Sequence, residues 1–318
     1  MNEKMTIIAG IIILCLIALI FVMIQIKPDT SEKITLEDKL DRINSRGTLI
    51  IATDPASSPF SELIPGSERN ADSKCEPAAY TSDELKGFDV AVGSEIAKRI
   101  GVEPCFVTPI WTRIVNGDWA DSWDISVGSM SISNERMEKL LFTKPYNSAP
   151  ALVFVRQSDQ QYQDIEDLAG KRIGVCAGCV QEKYLEGNLT LPNETIRCKI
   201  QNAVPVAYNY ETLAFADLSS NSLPKIDAVI SDAPIGMASI RQGMPLRPLS
   251  EPAYYSFFAA AIDKKSSTNQ WIFLETVDKI IQEMHDDGTL GMLAGKYLID
   301  DYTKEAGRFN ISSLKQFE

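Results

Sequence analysis

The chain has 318 residues, of which 45% are hydrophobic and 23% are charged, and its formal net charge is −12. This composition is typical of globular proteins, and the length allows roughly two lobes. The negative charge and the lack of any Lys/Arg run argue against nucleic acid as a partner. A single histidine, His285, argues against a His-based metal site or catalytic triad, and we expect no metal and no cofactor.

The N-terminal stretch Met5–Ile26 is apolar except for Gln25 and is long enough to cross a bilayer. A cleaved signal peptide is the alternative, but no small-x-small pattern precedes Lys27. Cys15 follows leucine rather than a small residue, which argues against a lipoprotein attachment site. We therefore predict a membrane anchor within residues 1–27, a linker over 28–34 and an extracytoplasmic globular part.

After the linker, short apolar segments alternate with segments of helical spacing. Strands are predicted at 48–53, 103–108, 123–127, 149–156, 172–176, 204–208, 226–231 and 257–262, and helices at 35–45, 91–100, 111–116, 165–168, 180–187, 210–218, 269–286 and 291–297. This alternation predicts an α/β fold, with a parallel sheet covered by helices on both faces. Residues 61–84 show no periodicity and are interpreted as a surface loop, and the polar tail 299–318 has no clear assignment.

The most informative stretch is Trp123–Tyr146, which reads WDISVGSMSISNERMEKLLFTKPY. A strand opens into the small-residue turn Gly128–Ser133, and a helical turn carrying Arg136 follows. Such a turn presents backbone N–H groups and hydroxyls, and the planar guanidinium of arginine suits a carboxylate. The stretch predicts an anion-binding turn, although a capped helix with a surface arginine would give the same pattern.

Six segments in order resemble the extracytoplasmic solute-binding protein family 3, the polar amino-acid receptors of ABC importers. They are GFDVAVGSEIAKRI (Gly87–Ile100), WDISVGSMSISNER (Trp123–Arg136), FTKPY (Phe142–Tyr146), LAGKRIGV (Leu168–Val175), IDAVISD (Ile226–Asp232) and DGTL (Asp287–Leu290). The resemblance covers about residues 35–298. It implies a two-lobed periplasmic-binding-protein type II fold with two hinge strands. Lobe one would comprise 35–146 plus 259–298, and lobe two 147–258.

The resemblance also implies the two charged groups that grip an amino acid. Arg136 matches the family's carboxylate-binding arginine, and Asp232 matches the acid that receives the α-ammonium group. Held from opposite lobes, neither ligand charge would be buried unpaired. An exposed Arg136 and an Asp232 that only caps the helix begun by Pro234 are the alternatives.

The remaining candidate residues match turn positions around the ligand. Gly128, Ser129 and Ser131 match groups that complete the carboxylate shell. Cys179 and Val180 stand where the family often has two threonines at a helix N-terminus, so the resemblance implies backbone donation alone at these two positions.

Side-chain specificity is less clear from the sequence. Ser57 occupies the position of the aromatic residue that commonly stacks on the ligand, and Trp111 either replaces that ring or belongs to the core. No acid or base stands out as the group that selects a charged ligand side chain.

Five cysteines follow Cys15: Cys75, Cys105, Cys176, Cys179 and Cys198. An exported domain favours disulfides, and we expect one among Cys176, Cys179 and Cys198 without assigning the pair. The Cys176-Ala-Gly-Cys179 spacing also fits half of a zinc site, but no second pair or histidine partner accompanies it.

The pattern as a whole predicts a membrane-tethered, non-enzymatic receptor that captures an amino acid and delivers it to ABC permease subunits. The first alternative is a sensory receptor that works through a partner protein. The second is a dehydratase-like enzyme on the same scaffold, although no acid stands out as catalytic beside Arg136 and Asp232.

Overall fold

The computed structural model describes residues 36–192, 196, 200–220, 225–314 and 316. The predicted membrane anchor and linker, and Cys198, lie outside these residues. In the described part of the chain, no helix is both long and apolar enough to cross a membrane.

The fold is organised around one mixed sheet of nine strands in the order β5-β1-β6-β12-β7-β10-β8-β9, with β11 paired to β7. The strands of this sheet are β1 (Thr48–Ala52), β5 (Glu103–Val107), β6 (Ile125–Ser126), β7 (Leu140–Arg156), β8 (Arg172–Cys176), β9 (Val204–Tyr208), β10 (Ala228–Asp232), β11 (Leu246–Pro248) and β12 (Tyr254–Asp263). A second sheet joins β2 (Ala56–Ser57), β3 (Ser61–Leu63) and β4 (Leu85–Lys86). In the large sheet, β1 pairs in parallel with β5 and β6, and β8 pairs in parallel with β9 and β10.

Ten α-helices connect or flank these strands in the described chain. They are α1 (Lys39–Arg46), α2 (Phe88–Ile100), α3 (Trp111–Val115), α4 (Asn134–Met137), α5 (Val180–Leu185), α6 (Glu211–Ser219), α7 (Ala233–Arg241), α8 (Trp271–Asp286), α9 (Thr289–Tyr297) and α10 (Thr303–Gly307). Short 3₁₀ turns lie at Ile165–Leu168 and Ile311–Leu314. Most helices therefore form where the apolar spacing predicts them, with ends that shift by a few residues.

The centre of the sheet differs from the all-parallel arrangement predicted from the sequence. The chain from Leu140 to Arg156 forms one continuous strand, and it runs antiparallel to β12 on one side and to β10 on the other. Because β7 and β12 are long, they extend through both halves of the sheet. They pair with each other from Leu140 opposite Asp263 to Ala151 opposite Tyr254.

Two segments for which the sequence predicts no helix or strand carry structure. The stretch 61–84 contains β3, and Cys75 forms a disulfide with Cys105 of β5, with the two Cα atoms 5.4 Å apart. The tail contains α10, which packs on β7. Neither segment shows strong periodicity, so only the tertiary contacts reveal these elements.

Apolar side chains on both faces of the sheet build the core. One cluster joins β1, α2 and α8 through residues such as Ile51, Ile96 and Val277, all fully buried. A second cluster lies within 151–254 and a third around Trp119, Trp123 and Phe142. Burial on both faces fits a sheet covered by helices, and it leaves the strand ends free to carry polar loops.

Candidate functional site

Polar residues gather where the parallel strands end. Asp54 follows β1, Gly128 follows β6, Cys176 ends β8, Glu211 follows β9 and Asp232 ends β10. The carboxyl ends of parallel strands are the usual place for a ligand crevice in α/β sheets. These five residues, drawn from both halves of the sheet, line one central cavity.

The central cavity is lined by Asp54, Ala56, Ser57, Trp111, Gly128, Ser129, Cys176, Cys179, Glu211, Asp232 and Ile235. Its volume is about 40 Å³, which accommodates water but not an amino acid. A larger space of about 310 Å³, the outer cavity, adjoins it and is lined partly by Arg136, Gly178, Cys179 and Val180. An amino acid therefore enters the centre only if the two halves of the sheet move apart.

Arg136 lies in α4, whose N-cap Ser133 accepts a hydrogen bond from the Arg136 backbone N–H. The side chain is buried, and its two terminal nitrogens donate to the carbonyls of Ser131 at 2.9 Å and of Gly178 at 3.0 Å. Burial lowers the pKa of Arg136 to about 10, so the guanidinium remains charged at neutral pH. Both of these acceptors are carbonyls and no carboxylate in the described chain forms an ion pair with Arg136, which leaves this buried cation suited to an anionic ligand group.

Asp232 is buried at the start of α7, but its side chain does not cap that helix. One carboxylate oxygen, Oδ1, has no hydrogen-bond partner among the described residues. Burial raises the pKa of Asp232 to about 7, while a hydrogen bond from Gln181 and the charge of Arg136 act in the opposite direction. An unpartnered buried carboxyl at a cavity wall is suited to receive a cation.

Asp54 and Glu211, which the sequence did not mark as site residues, bring two more carboxyl groups to the central cavity. Burial raises the pKa of Asp54, and burial together with the charge of Asp232 raises the pKa of Glu211 to about 8. One Asp54 oxygen accepts the Ala56 N–H at 2.9 Å. The only sequence signals were their positions, since Asp54 follows directly after the predicted strand 48–53 and Glu211 lies at the start of the predicted helix 210–218.

The small-residue turn is held by a hydrogen-bond network beneath it. The Ser129 N–H donates to the Tyr146 hydroxyl at 2.8 Å, and that hydroxyl donates to Asp89 at 2.9 Å. The Ser129 hydroxyl also donates to Asp89, at 2.9 Å and 3.1 Å from its two oxygens. Ser129 adopts a φ of 47°, an uncommon value for a residue other than glycine, and this network stabilises it. The polar groups of Ser129 are therefore engaged in shaping the turn.

The other predicted turn residues lie nearby. Gly128 lines the central cavity, and a Cβ there would lie 3.6 Å from the ring of Trp111, so the turn passes close to that indole. Ser131 contributes its carbonyl to Arg136. Ser57, partly exposed in β2, lines the central cavity.

Cys179 and Cys176 form a disulfide, with the two Cα atoms 5.3 Å apart, which closes the turn between β8 and α5. The side chain of Val180 is buried in the apolar cluster of residues 151–254. The Gly178 N–H, at the same helix start, donates to the Glu182 carboxylate at 2.8 Å. One of the backbone donors available at this turn is therefore already paired.

Trp111 begins α3 and borders both the central cavity and a third space beside Tyr210. Its ring centroid lies 5.5 Å from the guanidinium carbon of Arg136. The side chain is only partly buried, and its Nε1–H has no hydrogen-bond partner in the described chain. The indole therefore borders the cleft, where it can form part of the wall around a ligand.

Replacing Trp111 with alanine is expected to weaken ligand binding by about 1–3 kcal/mol, because a large apolar wall and a cation–π contact to Arg136 are lost together. Titration calorimetry measures the change. Trp271→Ala removes an exposed indole on α8 and serves as the control. Equal affinities for Trp111→Ala and the wild type would assign the indole to packing alone.

Comparison with protein families matches residues 70–300 to the bacterial extracellular solute-binding proteins, family 3. Among curated proteins, the chain is 27% identical over 231 residues to the probable amino-acid-binding protein YxeM of Bacillus subtilis, covering 72% of this chain and 82% of that one. It is 30% identical over 231 residues to the L-cystine-binding protein TcyK of Bacillus subtilis, covering 70% and 78%.

Solved structures show the same fold. An ancestral amino-acid-binding protein, described as a precursor of cyclohexadienyl dehydratase, matches with a TM-score of 0.65 at 23% identity and covers 81% of this chain and 99% of that one. This likeness confirms the predicted two-lobed α/β architecture.

Proposed function

Because the chain belongs to the bacterial extracellular solute-binding proteins of family 3, we propose that it is the substrate-binding component of an ABC importer for an amino acid. In this role it captures the ligand between two lobes and delivers it to permease subunits in the membrane. The relatives named as amino-acid-binding and L-cystine-binding proteins support this class of ligand. Members of the family act outside the cytoplasm, and the apolar stretch 5–26 supports an anchor that holds this one at the membrane.

The proposal rests on the opposite charges of Arg136 and Asp232, which lie on two sides of the cleft. A buried guanidinium without a carboxylate partner in the described chain lies on one side of the cleft, and a buried carboxyl with an unpartnered oxygen lies on the other. An α-amino acid presents a carboxylate and an ammonium group a few bonds apart. Binding it would pair both buried groups at once, which neither a simple anion nor a simple cation can do.

The two proposed lobes correspond to the two halves of the large sheet. Lobe one comprises 35–146 plus 259–298, which holds β1, β5, β6 and Arg136, and lobe two comprises 147–258, which holds β8–β10 and Asp232. β7 and β12 would be the hinge strands, since both pass from one half to the other. Opening about these strands would enlarge the central cavity, and closing would exclude water from the ligand charges.

We further propose that the ligand carries a second positive charge on its side chain. Asp232 balances the α-ammonium group and Arg136 the carboxylate, which leaves Asp54 and Glu211, at the same cavity as Asp232, without a cationic partner among the described residues. Buried carboxylates are costly unless paired, and a guanidinium or ammonium on the ligand would pair them. L-Cystine brings a second ammonium but also a second carboxylate, and the described residues that line the central cavity include no arginine or lysine to pair with it.

A thermal-shift and calorimetric screen of the full-length protein tests both statements. The probes are L-arginine, L-lysine and L-ornithine, with L-citrulline and L-norleucine as neutral analogues of similar size, and L-cystine. Binding to the native state alone raises the unfolding midpoint. We expect the basic amino acids to bind at least about 100-fold more tightly than their neutral analogues, because a neutral side chain leaves the carboxylates unpaired.

The variant Glu211→Gln tests whether Glu211 provides the preference for basic over neutral amino acids. The substitution removes one carboxylate with little change of shape, so the advantage of L-arginine over L-citrulline is expected to fall about tenfold or more. Glu251→Gln, an exposed glutamate, is the matched control. Equal binding of neutral and basic amino acids would reject the cationic side chain and leave the importer role intact, whereas no response to any amino acid would reject the role itself.

A sensory role and a dehydratase-like activity are the two alternatives. A sensory receptor would use the same cleft but a different partner protein. Transport is therefore distinguished from sensing by a permease mutant, which abolishes uptake of the ligand if the protein serves an importer. Catalysis would require turnover of the bound amino acid, and incubation with each tight ligand followed by mass spectrometry detects it. We expect the ligand to be recovered unchanged, because the buried carboxyl groups at the cavity are accounted for by ligand charges.

A further inference from the structure

The disulfide Cys176–Cys179 lies in the wall of the ligand cleft. Both cysteines line the central cavity beside Asp232 and Glu211, and Cys179 also borders the outer cavity. Cys179 is partly exposed, and the outer cavity of about 310 Å³ admits a small thiol. A nucleophile can therefore reach this sulfur from the cleft.

The second disulfide of the described chain provides a contrast. Cys75 and Cys105 are 7% and 2% exposed, and their bond joins residues 30 positions apart. The Cys176–Cys179 bond spans a separation of 3. Stabilisation by a disulfide grows with the length of the loop it closes. The Cys75–Cys105 bond therefore supports the fold, whereas the Cys176–Cys179 bond acts mainly on its own turn.

That turn carries contacts across the cleft. The Gly178 carbonyl accepts the hydrogen bond from Arg136 at 3.0 Å. A Cβ on Gly178 would lie 3.2 Å from a methyl group of Thr112 in α3, so the turn backbone packs directly on the opposite half of the fold. The disulfide joins the residues on either side of Ala177 and Gly178 and so fixes the backbone that meets Arg136.

We propose that Cys176–Cys179 is a thiol–disulfide exchange site, and that its reduction by a dithiol weakens ligand binding at the cleft. A thiolate of the dithiol attacks Cys179 Sγ, the bond to Cys176 Sγ breaks, and a mixed disulfide forms. The second thiol of the reagent displaces Cys179. The protein gains two electrons and two protons as two cysteine thiols, and the dithiol leaves as a cyclic disulfide.

The direction of the effect follows from chain entropy. In the oxidised protein the turn is held in the shape that meets Thr112 and Arg136 when the lobes are closed. In the reduced protein the turn has more conformations, and closing on a ligand must order it again. We expect reduction to raise the dissociation constant about five- to twentyfold, and reoxidation to restore it.

The experiment uses the full-length protein with Cys198→Ser, so that position 198 cannot take part in exchange with either disulfide. Dithiothreitol is added in steps, free thiols are alkylated and mapped by peptide mass spectrometry, and the affinity for the tightest ligand of the amino-acid screen is measured at each step. The double variant Cys176→Ser/Cys179→Ser is expected to show the reduced affinity and no response to dithiothreitol. The double variant Cys75→Ser/Cys105→Ser, where it folds, is expected to keep the response.

Two results would overturn the proposal. The first is an affinity that stays unchanged once alkylation has shown that Cys176 and Cys179 are fully reduced. The second is reduction of Cys75–Cys105 before Cys176–Cys179. The inference rests on the proposed function only for its affinity readout. If no amino acid binds either form, the proposed function fails, while the order in which the two disulfides are reduced still tests the exchange site.

Discussion

Arg136→Ala is expected to abolish amino-acid binding, with a loss of at least about 3 kcal/mol, or more than about 100-fold in affinity. The variant removes a buried cation that borders the outer cavity and donates across the cleft to Gly178. The ligand carboxylate would then enter a pocket that already holds the carboxyl groups of Asp54, Glu211 and Asp232. Repulsion adds to the loss of the paired hydrogen bonds, so the effect exceeds that of an ordinary contact.

The fold is expected to survive this substitution. Arg136 lies in a four-residue helix, α4, and its side chain donates to two carbonyls at the cleft, where water can replace it. Removing a desolvated charge also removes the cost of burying it. Circular dichroism and the unfolding midpoint without ligand check this point, with Arg241→Ala, an exposed arginine, as the control. Arg136→Lys keeps the charge without the planar fork and should bind weakly, and wild-type affinity in Arg136→Ala would disprove the clamp.

The sequence predicts the strands and helices well where periodicity is local. β8 and β9 have the predicted bounds, Arg172–Cys176 and Val204–Tyr208, because each is a short apolar run between turn residues. The turn before Arg136 is also predictable, since Ser133 precedes a short helix and caps it. Such features depend on neighbouring residues and are therefore visible in a single sequence.

The continuous strand β7 is not visible in this way. Pro145 and Pro150 interrupt the run from Leu140 to Arg156, and proline in a central strand normally argues against strand structure. Pairing with β12 overrides that preference, and register shifts around Ala259, opposite Pro145, accommodate the missing N–H. The partner strand lies about a hundred residues away, so the pairing is a tertiary effect.

The acidic character of the cavity was missed for a similar reason. Asp54 and Glu211 come from distant parts of the chain, and only the order of the strands brings them to one edge of the sheet with Asp232. The resemblance supplied Arg136 and Asp232 because both lie in recognisable motifs. A residue that selects the ligand side chain varies with the ligand, and no local pattern identifies it.

Asp232→Asn is the second substitution with a large expected effect, a loss of roughly 2–5 kcal/mol of binding free energy. Asparagine keeps the shape of the side chain but cannot neutralise the α-ammonium group. Asp72→Asn, at an exposed aspartate, is the matched control. Retained affinity in Asp232→Asn would mean that Glu211 or Asp54 receives the ammonium group instead.

The pH dependence of binding tests the same carboxyl group independently. Burial raises the pKa of Asp232 to about 7 and that of Glu211 to about 8. The groups around Asp232 are Gln181, Arg136, Tyr254 and Glu211. A cationic ligand binds the ionised forms, so binding releases a proton from each carboxyl group that is protonated in the free protein.

The direction of the pH dependence follows from these raised pKa values. The dissociation constant is expected to rise as the pH falls below about 8, where Glu211 becomes protonated, and more steeply below about 7, where Asp232 does so too, by up to tenfold per pH unit for each proton released. Well above pH 8 these two carboxyl groups should no longer affect it. Calorimetry in buffers of different ionisation enthalpy counts these protons. Asp232→Asn should release one proton fewer at pH 6, and Glu211→Gln should remove the dependence between pH 7 and 8. An affinity that is independent of pH from 5.5 to 8.5 would show that binding releases no proton from Asp232 or Glu211, and would contradict the proposal that the ligand cation drives the ionisation of these two carboxyl groups.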